Sequence, residues 1–268
     1  CRYGIPSYRL PDEVLDREIG DILEAGVKLE LGVGDKTPAG LKEEGFDAVL
    51  VSIGTHQGVK LPLEGNDLPG VYINTAFLKA ARSGDPLPVG EKVMVLGGGN
   101  VAFDCARTAL RLGAKEVHMA CLENEQQMTS TPEEIREGEE EGIILHSAHS
   151  FLKITGTEKA EGVELQKVDK FYFDENRKAI IDLVEGSNFI VPVDNVIFAV
   201  GQKPEGTENY GLELTHGPYI QADEKLQTSM EGVYTAGDVL TGTKSVIEAI
   251  AGGRLAAEQM DLYLGGDG

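Results

Sequence analysis

Positive charge is what this chain has least of. Its 268 residues carry 24 lysines and arginines against 45 aspartates and glutamates, a formal charge of −21. Such an acidic surface repels phosphate backbones and anionic headgroups, so neither nucleic acid nor a membrane is an expected partner. Long apolar runs are missing too: there is no span of about 18 apolar residues and nothing leader-like, and the expected location is the cytoplasm. Cysteine is limited to Cys1, Cys105 and Cys121, with no C-x-x-C spacing. That argues against a disulfide relay or a metal site, and Cys105 and Cys121 read as small core residues.

What the chain does have is glycine and short apolar runs. Thirty-four glycines and 41% apolar residues suit a turn-rich α/β protein, and the length suffices for two domains. The most informative stretch is residues 91–123, EKVMVLGGGNVAFDCARTALRLGAKEVHMACLE. Val93 to Leu96 read as a buried parallel strand and Gly97-Gly98-Gly99 as a tight turn. Asn100 reads as the N-cap of a helix that runs to about Leu112 and stops at Gly113. A second strand, Glu116 to Leu122, ends on Glu123. Strand, glycine turn, helix, strand and terminal acid in this order form a dinucleotide-binding pattern. Gly97 permits the turn, and Gly99 lets backbone approach a pyrophosphate seated on the helix N-terminus. Gly98, Asn100 and Val101 complete that candidate contact set. Glu123 can accept both ribose hydroxyls of NAD and would repel the extra phosphate of NADP, so NAD is the expected preference.

Upstream, the chain opens on Cys1 to Arg9 with no initiator methionine and no strand before its first helix. Pro11 to Ala25 is a predicted helix with Val14, Leu15, Ile19, Ile22 and Leu23 on one face. Val27, Leu29 and Leu31 alternate with Lys28 and Glu30 as a strand, and Phe46 to Ile53 form another that exits through Gly54-Thr55-His56. His56 reads as a solvated loop residue rather than a base. Residues 57–90 read as a connection, with one short helix near Asn74 to Arg82. Beyond Glu123, Thr131-Pro132 starts an acidic helix whose Glu139-Glu140-Glu141 run is expected to face solvent.

Ile143 to Leu145 is a third parallel strand. Three short strands, Val163 to Val168, Ala179 to Val184 and Phe189 to Val193, then follow at hairpin spacing as an antiparallel excursion. Asn195 to Val200 is again a buried strand, leaving through Gly201. Gly232 to Thr235 is a strand that leads to Gly237-Asp238, before a helix from about Val246 to Leu264. Asp238 there supplies a carboxylate for a ribose or ribityl hydroxyl, and the helix start a positive dipole for an electron-rich ring edge.

The segments carrying a resemblance are GIPSYRLPDEVLDREI at 4–19, AVLVSIGTH at 48–56, VLGGGNVAFDCARTA at 95–109, VIFAVGQKPE at 196–205 and LQTSMEGVYTAGDVLTGTKSVIEAIAGGRLAAE at 226–258. Together, and in this order, they resemble the two-dinucleotide flavoprotein oxidoreductases. The similarity is greatest to the glutamate synthase small (beta) subunit and its relatives, including the flavin/NAD part of dihydropyrimidine dehydrogenase and ferredoxin-linked transhydrogenases. The resemblance implies a Rossmann-like NAD-binding domain with an antiparallel β excursion at 87–200. That domain would be inserted in an incomplete FAD-binding α/β domain, made of residues 1–86 with its linker and the return segment 201–268. It also implies Asp238 at the FAD ribityl–phosphate region and Ser245 and Val246 at the flavin. Gly201 and Gly237, at strand exits, complete the cofactor-binding set.

The family's G-x-G-x-x-G for the FAD pyrophosphate, which lies upstream of GIPSYRLP, is absent here, as are the iron–sulfur cysteines that precede it in many relatives. Gly32-Val33-Gly34 is followed by Pro38 and no helix, and does not replace it. The chain therefore reads as a piece of a longer protein. NADP-using relatives carry arginines near the position of Leu122-Glu123-Asn124, where this chain has an acid.

The implied activity is hydride transfer from NADH to FAD, with electrons passed to an iron–sulfur or other redox subunit or domain. FAD is expected in the full-length protein, and these residues alone are expected to be inactive. No side chain is assigned as acid, base, nucleophile or metal ligand. The competing class is a non-catalytic nucleotide-binding or scaffold module of a larger complex. Without the family's first strand, the predicted strands at Val27–Leu31, Phe46–Ile53 and Gly232–Thr235 lose a shared neighbour. The FAD-side half is then expected to rearrange, to be partly mobile, or to pair in a homodimer.

Overall fold

Val93, Met94, Val95 and Leu96 have no exposed surface, and the largest sheet is built outwards on both sides of them. The structure is a computed structural model and describes residues 1–34, 36–175, 179–215 and 217–268. In chain order its elements are α1 (Asp12–Glu24), α2 (Pro38–Glu43), β1 (Val49–Val51), β2 (Gln57–Gly58), β3 (Val71–Ile73), α3 (Asn74–Arg82) and β4 (Lys92–Leu96). There follow α4 (Asn100–Arg111), β5 (Glu116–Ala120), α5 (Pro132–Glu140), β6 (Ile144–His146), β7 (His149–Thr155), β8 (Gly162–Phe173) and β9 (Ala179–Leu183). The last are β10 (Phe189–Pro192), β11 (Asn195–Phe198), β12 (Gln202–Lys203), β13 (Val233–Thr235), α6 (Asp238–Thr241) and α7 (Val246–Tyr263). The chain divides into two compact units, one of Cys1–Leu15 with Gly58–Val200 and one of Asp16–Gln57 with Gly201–Gly268.

The first unit is a five-stranded parallel sheet in the order β3-β11-β4-β5-β6. Side chains alternate across it, so Val93 and Val95 point to one face and Met94 and Leu96 to the other. The first face buries Phe77 and Leu78 of α3 and Phe103 and Ala106 of α4. The second is covered by the antiparallel sheet β10-β8-β7, through Phe151, Ile154, Val163, Leu165 and Val191. β9 pairs with the far half of β8. Burial on both faces is why the parallel strands read as unbroken apolar runs.

The second unit pairs β1 with β13 in parallel, over a small core of Val49, Val51, Leu212, Ile220, Val233 and Val239. Helix α7 begins at a capping box formed by Ser245 and Glu248 and buries only Ala256 along its length. Among the described residues no helix is long and apolar enough to cross a membrane.

Several expectations need correction. Val27 to Leu31 form no strand, and Val27, Leu29 and Leu31 are exposed. Alternation alone does not make a strand, which also needs a partner's N–H and C=O groups, and β1 takes β13 instead. The strand expected over Phe46 to Ile53 is regular only at Val49–Val51, with Phe46 exposed. Helix α1 forms nearly as predicted, but none of its residues is buried. Residues 57–90 do more than connect, because β3 adds to the sheet beside β11 and α3 packs against it. A three-residue strand carries too little periodicity to be seen in sequence.

Candidate functional site

The turn between β4 and α4 stands at the carboxyl edge of the five-stranded sheet. From β4 the chain proceeds to β5 and β6 on one side, while β11 and β3 lie on the other. Such a reversal opens a crevice in which open α/β sheets bind ligands. Gly97 turns there with φ 139°, and a Cβ on it would lie 2.3 Å from the carbonyl oxygen of Ala199, just past β11. A Cβ on Gly98 would lie 2.7 Å from the Cβ of Cys121 and 3.6 Å from Oε2 of Glu123. Gly99 is the N-cap of α4 and has no side chain with which to close the first turn. The leading N–H groups and the positive end of a 12-residue helix are thus left for an anion. Gly98→Ala should cost about 1–3 kcal/mol, since the Cβ of Cys121 is fixed to its backbone and the chain past β5 must shift to make room. A thermal melt checks this, and an unchanged melting temperature would mean that the turn has slack.

Asn100 is not the N-cap expected from sequence. It is the first helical residue, with Val101 next to it, and its Oδ1 accepts the Thr131 N–H at 3.0 Å. A glycine already occupies the cap position, so the Asn100 side chain is free to tie down the segment entering α5. Thr131 in turn caps α5 by accepting the Glu134 N–H. Thr129 lies on the same segment, its Oγ1 3.2 Å from where a Cβ on Gly99 would be.

Glu123 follows β5 and is pinned through its backbone. Its carbonyl accepts the Ala148 N–H at 2.7 Å, and Cys121 accepts the His149 N–H at 2.8 Å. These bonds come from the β6–β7 turn, where Ala148 sits at φ 52°. The Cys121 thiol, pushed up to about 12 chiefly by burial, is no nucleophile.

Beside the turn lies a charge network that sequence reasoning missed. The Arg9 guanidinium forks onto Glu134 and also bonds Asp104, while the Tyr8 hydroxyl donates to Asp104 at 3.3 Å. Arg107 donates to Glu141 at 2.9 Å and to Glu137 at 2.8 Å, and Arg111 to Glu141 at 2.7 Å. Arg111 and Arg107 also lie 4.2 and 4.8 Å from the centre of the Tyr8 ring. Glu141, expected on a solvated face, is held down at about 2 by the Arg111 hydrogen bond, with Arg107 adding to it. Burial pushes the Asp104 carboxyl up, against the pull of Arg9.

The second unit holds the remaining candidates. Gly237 and Asp238 leave β13, and one Asp238 oxygen accepts the Lys244 N–H at 3.1 Å. Ser245 caps α7 and Val246 starts it, but the Ser245 hydroxyl and N–H are both held by Glu248, at 2.7 and 3.0 Å. Gly201 is exposed, with φ 118°. Gly97 to Val101 and Glu123 therefore gather in the first unit, and Gly201, Gly237, Asp238, Ser245 and Val246 in the second.

Three histidines meet on the face of the first sheet that carries the antiparallel layer. His118 Nδ1 is 2.9 Å from His146 Nε2, and its Nε2 is 2.8 Å from Glu116, which also pairs with Lys92. His149 and Phe189 complete the ring cluster. Among the described residues no group of histidines, cysteines and acids is placed to hold a metal. Burial, then the neighbouring His118 and His149, push His146 from 6.5 down to about 4. A depressed folded value means full stability above pH 6.5, lost as pH falls from there through about 4. Discounted for partial exposure, the loss should be about 1–2 kcal/mol. Melting temperatures of the protein and of His146→Gln across this range test it, and parallel curves would exonerate His146.

The sequence pattern of one oxidoreductase family, described as Pyridine nucleotide-disulphide oxidoreductase, matches residues 15–253. The chain belongs to this family. It is similar to the Glutamate synthase [NADPH] small chain of Halomonas elongata, at 32% identity over 98% of this chain and 60% of that one. The NADP(+)-dependent formate dehydrogenase subunit beta of Moorella thermoacetica is 34% identical over 97% of this chain and 38% of its own length. This chain thus spans about three fifths or less of these relatives. Among solved structures, FprA of Mycobacterium tuberculosis superposes with a TM-score of 0.82, covering 98% of this chain and 75% of that one at 17% identity. That likeness establishes the fold as that of FAD/NAD(P) oxidoreductases.

The residues present fit the nucleotide that this family's name implies. A cradle that any Cβ would crowd, at a helix start with no cap, matches a pyrophosphate. In the second unit one oxygen of Asp238 accepts the Lys244 N–H. Tyr8, Arg9, Asp104 and Arg107 lie in segments that carry the resemblance, but nothing in the sequence showed that they meet, because the partners are remote in the chain. For Thr129, the run Thr129-Ser130-Thr131 before Pro132 is the one local hint.

Proposed function

We propose that this chain is the pyridine-nucleotide side of an FAD-dependent oxidoreductase module and favours NADH over NADPH. The two bound cofactors would supply the chemistry, hydride passing from reduced nicotinamide to flavin and electrons onward to an iron–sulfur subunit or domain. The chain's own residues bind and orient. Gly97 to Gly99, with Asn100 and Val101, hold the pyrophosphate on the start of α4, and Glu123 takes the ribose hydroxyls. Gly237 and Asp238 serve a flavin-side hydroxyl, and Ser245 and Val246 present the positive end of α7. Gly201 supplies the turn by which the chain leaves β11. Residues 87–200 are then the NAD-binding domain, joined by Cys1–Leu15 and by β3 and α3, with Asp16–Gln57 and 201–268 on the FAD side.

The observation that carries this reading is the cradle at Gly97, open only because it lacks side chains, with an acid at the end of the next strand. The relatives' names describe a small chain and a beta subunit, which supports a redox partner. They also name NADPH or NADP(+), and Glu123 argues the other way for this chain. Self-association, expected from the sequence, draws no support from them. The test uses the protein as its host makes it, measuring flavin absorbance and NADH-dependent reduction of a one-electron dye. Bound flavin with NADH-driven reduction is the expected result. Nucleotide binding with neither flavin nor dye reduction would leave a scaffold and overturn the proposal.

A further inference from the structure

The segment 129–131 crosses the mouth of α4 with three consecutive hydroxyls, and only one of them has a structural task. Thr131 caps α5. Thr129 is exposed, and its Oγ1 stands 3.2 Å from the Cβ position of Gly99, at the uncapped start of α4. Ser130, between them, is 7% exposed, and its Oγ has no hydrogen-bond partner. A buried hydroxyl without a partner is destabilising and is kept only where its surroundings hold it or a ligand completes it. The segment is held on the far side by the Thr131 N–H on Asn100 Oδ1, at 3.0 Å.

We propose that Thr129 is a further cofactor-binding residue, its hydroxyl donating to the pyrophosphate, and that the Asn100–Thr131 bond is the positioning latch that keeps it over Gly99. This rests on reading Gly97 to Gly99 as the pyrophosphate cradle. A helix start presents N–H groups from one side only, and an anion placed on it keeps lone pairs directed away from the helix. Thr129 stands where a donor would meet those lone pairs. A hydrogen bond from a neutral hydroxyl to a charged oxygen is among the stronger ones that a single side chain makes.

The experiment is a titration of full-length protein with NAD, ADP-ribose and adenosine, for the parent, Thr129→Val, Thr129→Ser, Asn100→Ala and the double variant Asn100→Ala/Thr129→Val. Thr129→Val should weaken NAD and ADP-ribose about tenfold and leave adenosine, which has no phosphate, unchanged. Thr129→Ser should restore binding to within about twofold. The double variant should bind no more weakly than Thr129→Val alone, because the latch acts through that hydroxyl. Unchanged ADP-ribose binding by Thr129→Val, with ADP-ribose still much tighter than adenosine in the parent, would overturn the role of Thr129 and leave the cradle standing. Equal binding of ADP-ribose and adenosine by the parent would overturn the cradle itself. Thr129 is exposed, so melting temperatures of its variants should match the parent and exclude misfolding as the cause.

Discussion

Arg9→Ala is expected to destabilise the protein by about 3 kcal/mol, lowering its melting temperature by roughly 6–12 °C. Arg9 is the only described cation that bonds both Asp104 and the fork of Glu134, and those side chains are just 12% and 10% exposed. Taking it away leaves Asp104 without its cation and Glu134 with only Arg107, 3.6 Å away, the circumstance in which a buried pair is costly to break. The loss should also depend on pH in one direction. Burial already pushes Asp104 upward, and without Arg9 it would hold its proton at still higher pH. A raised folded value means that the variant gains stability as pH falls, so the gap to the parent should narrow between about pH 7 and 5. Arg9→Lys should recover only part of the loss, because an ammonium cannot fork onto Glu134. Melts at both pH values decide the matter. A variant within about 2 °C of the parent at pH 7 would show that water replaces Arg9 at little cost.

Glu123→Arg is expected to reverse the choice of nucleotide. The parent should bind NADH about 10 to 100 times more tightly than NADPH, the equivalent of about 1–3 kcal/mol for a carboxylate facing a phosphate. Its Oε2 lies 3.6 Å from the Cβ position of Gly98, so the acid leans over the turn that would carry the pyrophosphate. The backbone of Glu123 is fixed beside the turn by the bond from the Ala148 N–H to its carbonyl. Glu123→Gln should bring the two cofactors within a few fold of each other, and the arginine should favour NADPH. Titration of each variant with both nucleotides is the measurement. Equal or tighter NADPH binding by the parent would refute the assignment and align this chain with the names its relatives carry.

What could be read in the sequence was whatever is settled within a few residues. The run from Val93 to Leu96, the glycine turn, α4 and its stop at Gly113 are each specified by neighbours, through burial period, missing Cβ atoms and capping. β7 was not expected and β10 passes over β9 to pair with β8, whereas the hairpin of β8 and β9 was legible for the same reason. So was the acidic helix α5, announced by Thr131 and Pro132.

Tertiary structure decided everything that depends on a remote partner. Val27 to Leu31 has the alternation of a strand and forms none, whereas Val71–Ile73 has hardly any pattern and becomes one because β11 lies beside it. Asn100 exchanged a capping role for a bond to Thr131, 31 residues away. Glu141 left the solvated face that its neighbours predict because Arg107 and Arg111 of α4 come within reach. Arg9 meets Asp104 and Glu134 across 95 and 125 residues of chain, a distance over which periodicity carries no information. Local chemistry set where the glycine cradle lies and the strand and helix that flank it. The walls of that cradle, Ala199, Cys121, Glu123 and Thr129, were set by which strands and loops the packed sheet brought alongside, since burial rewards contact in space without regard to separation in sequence.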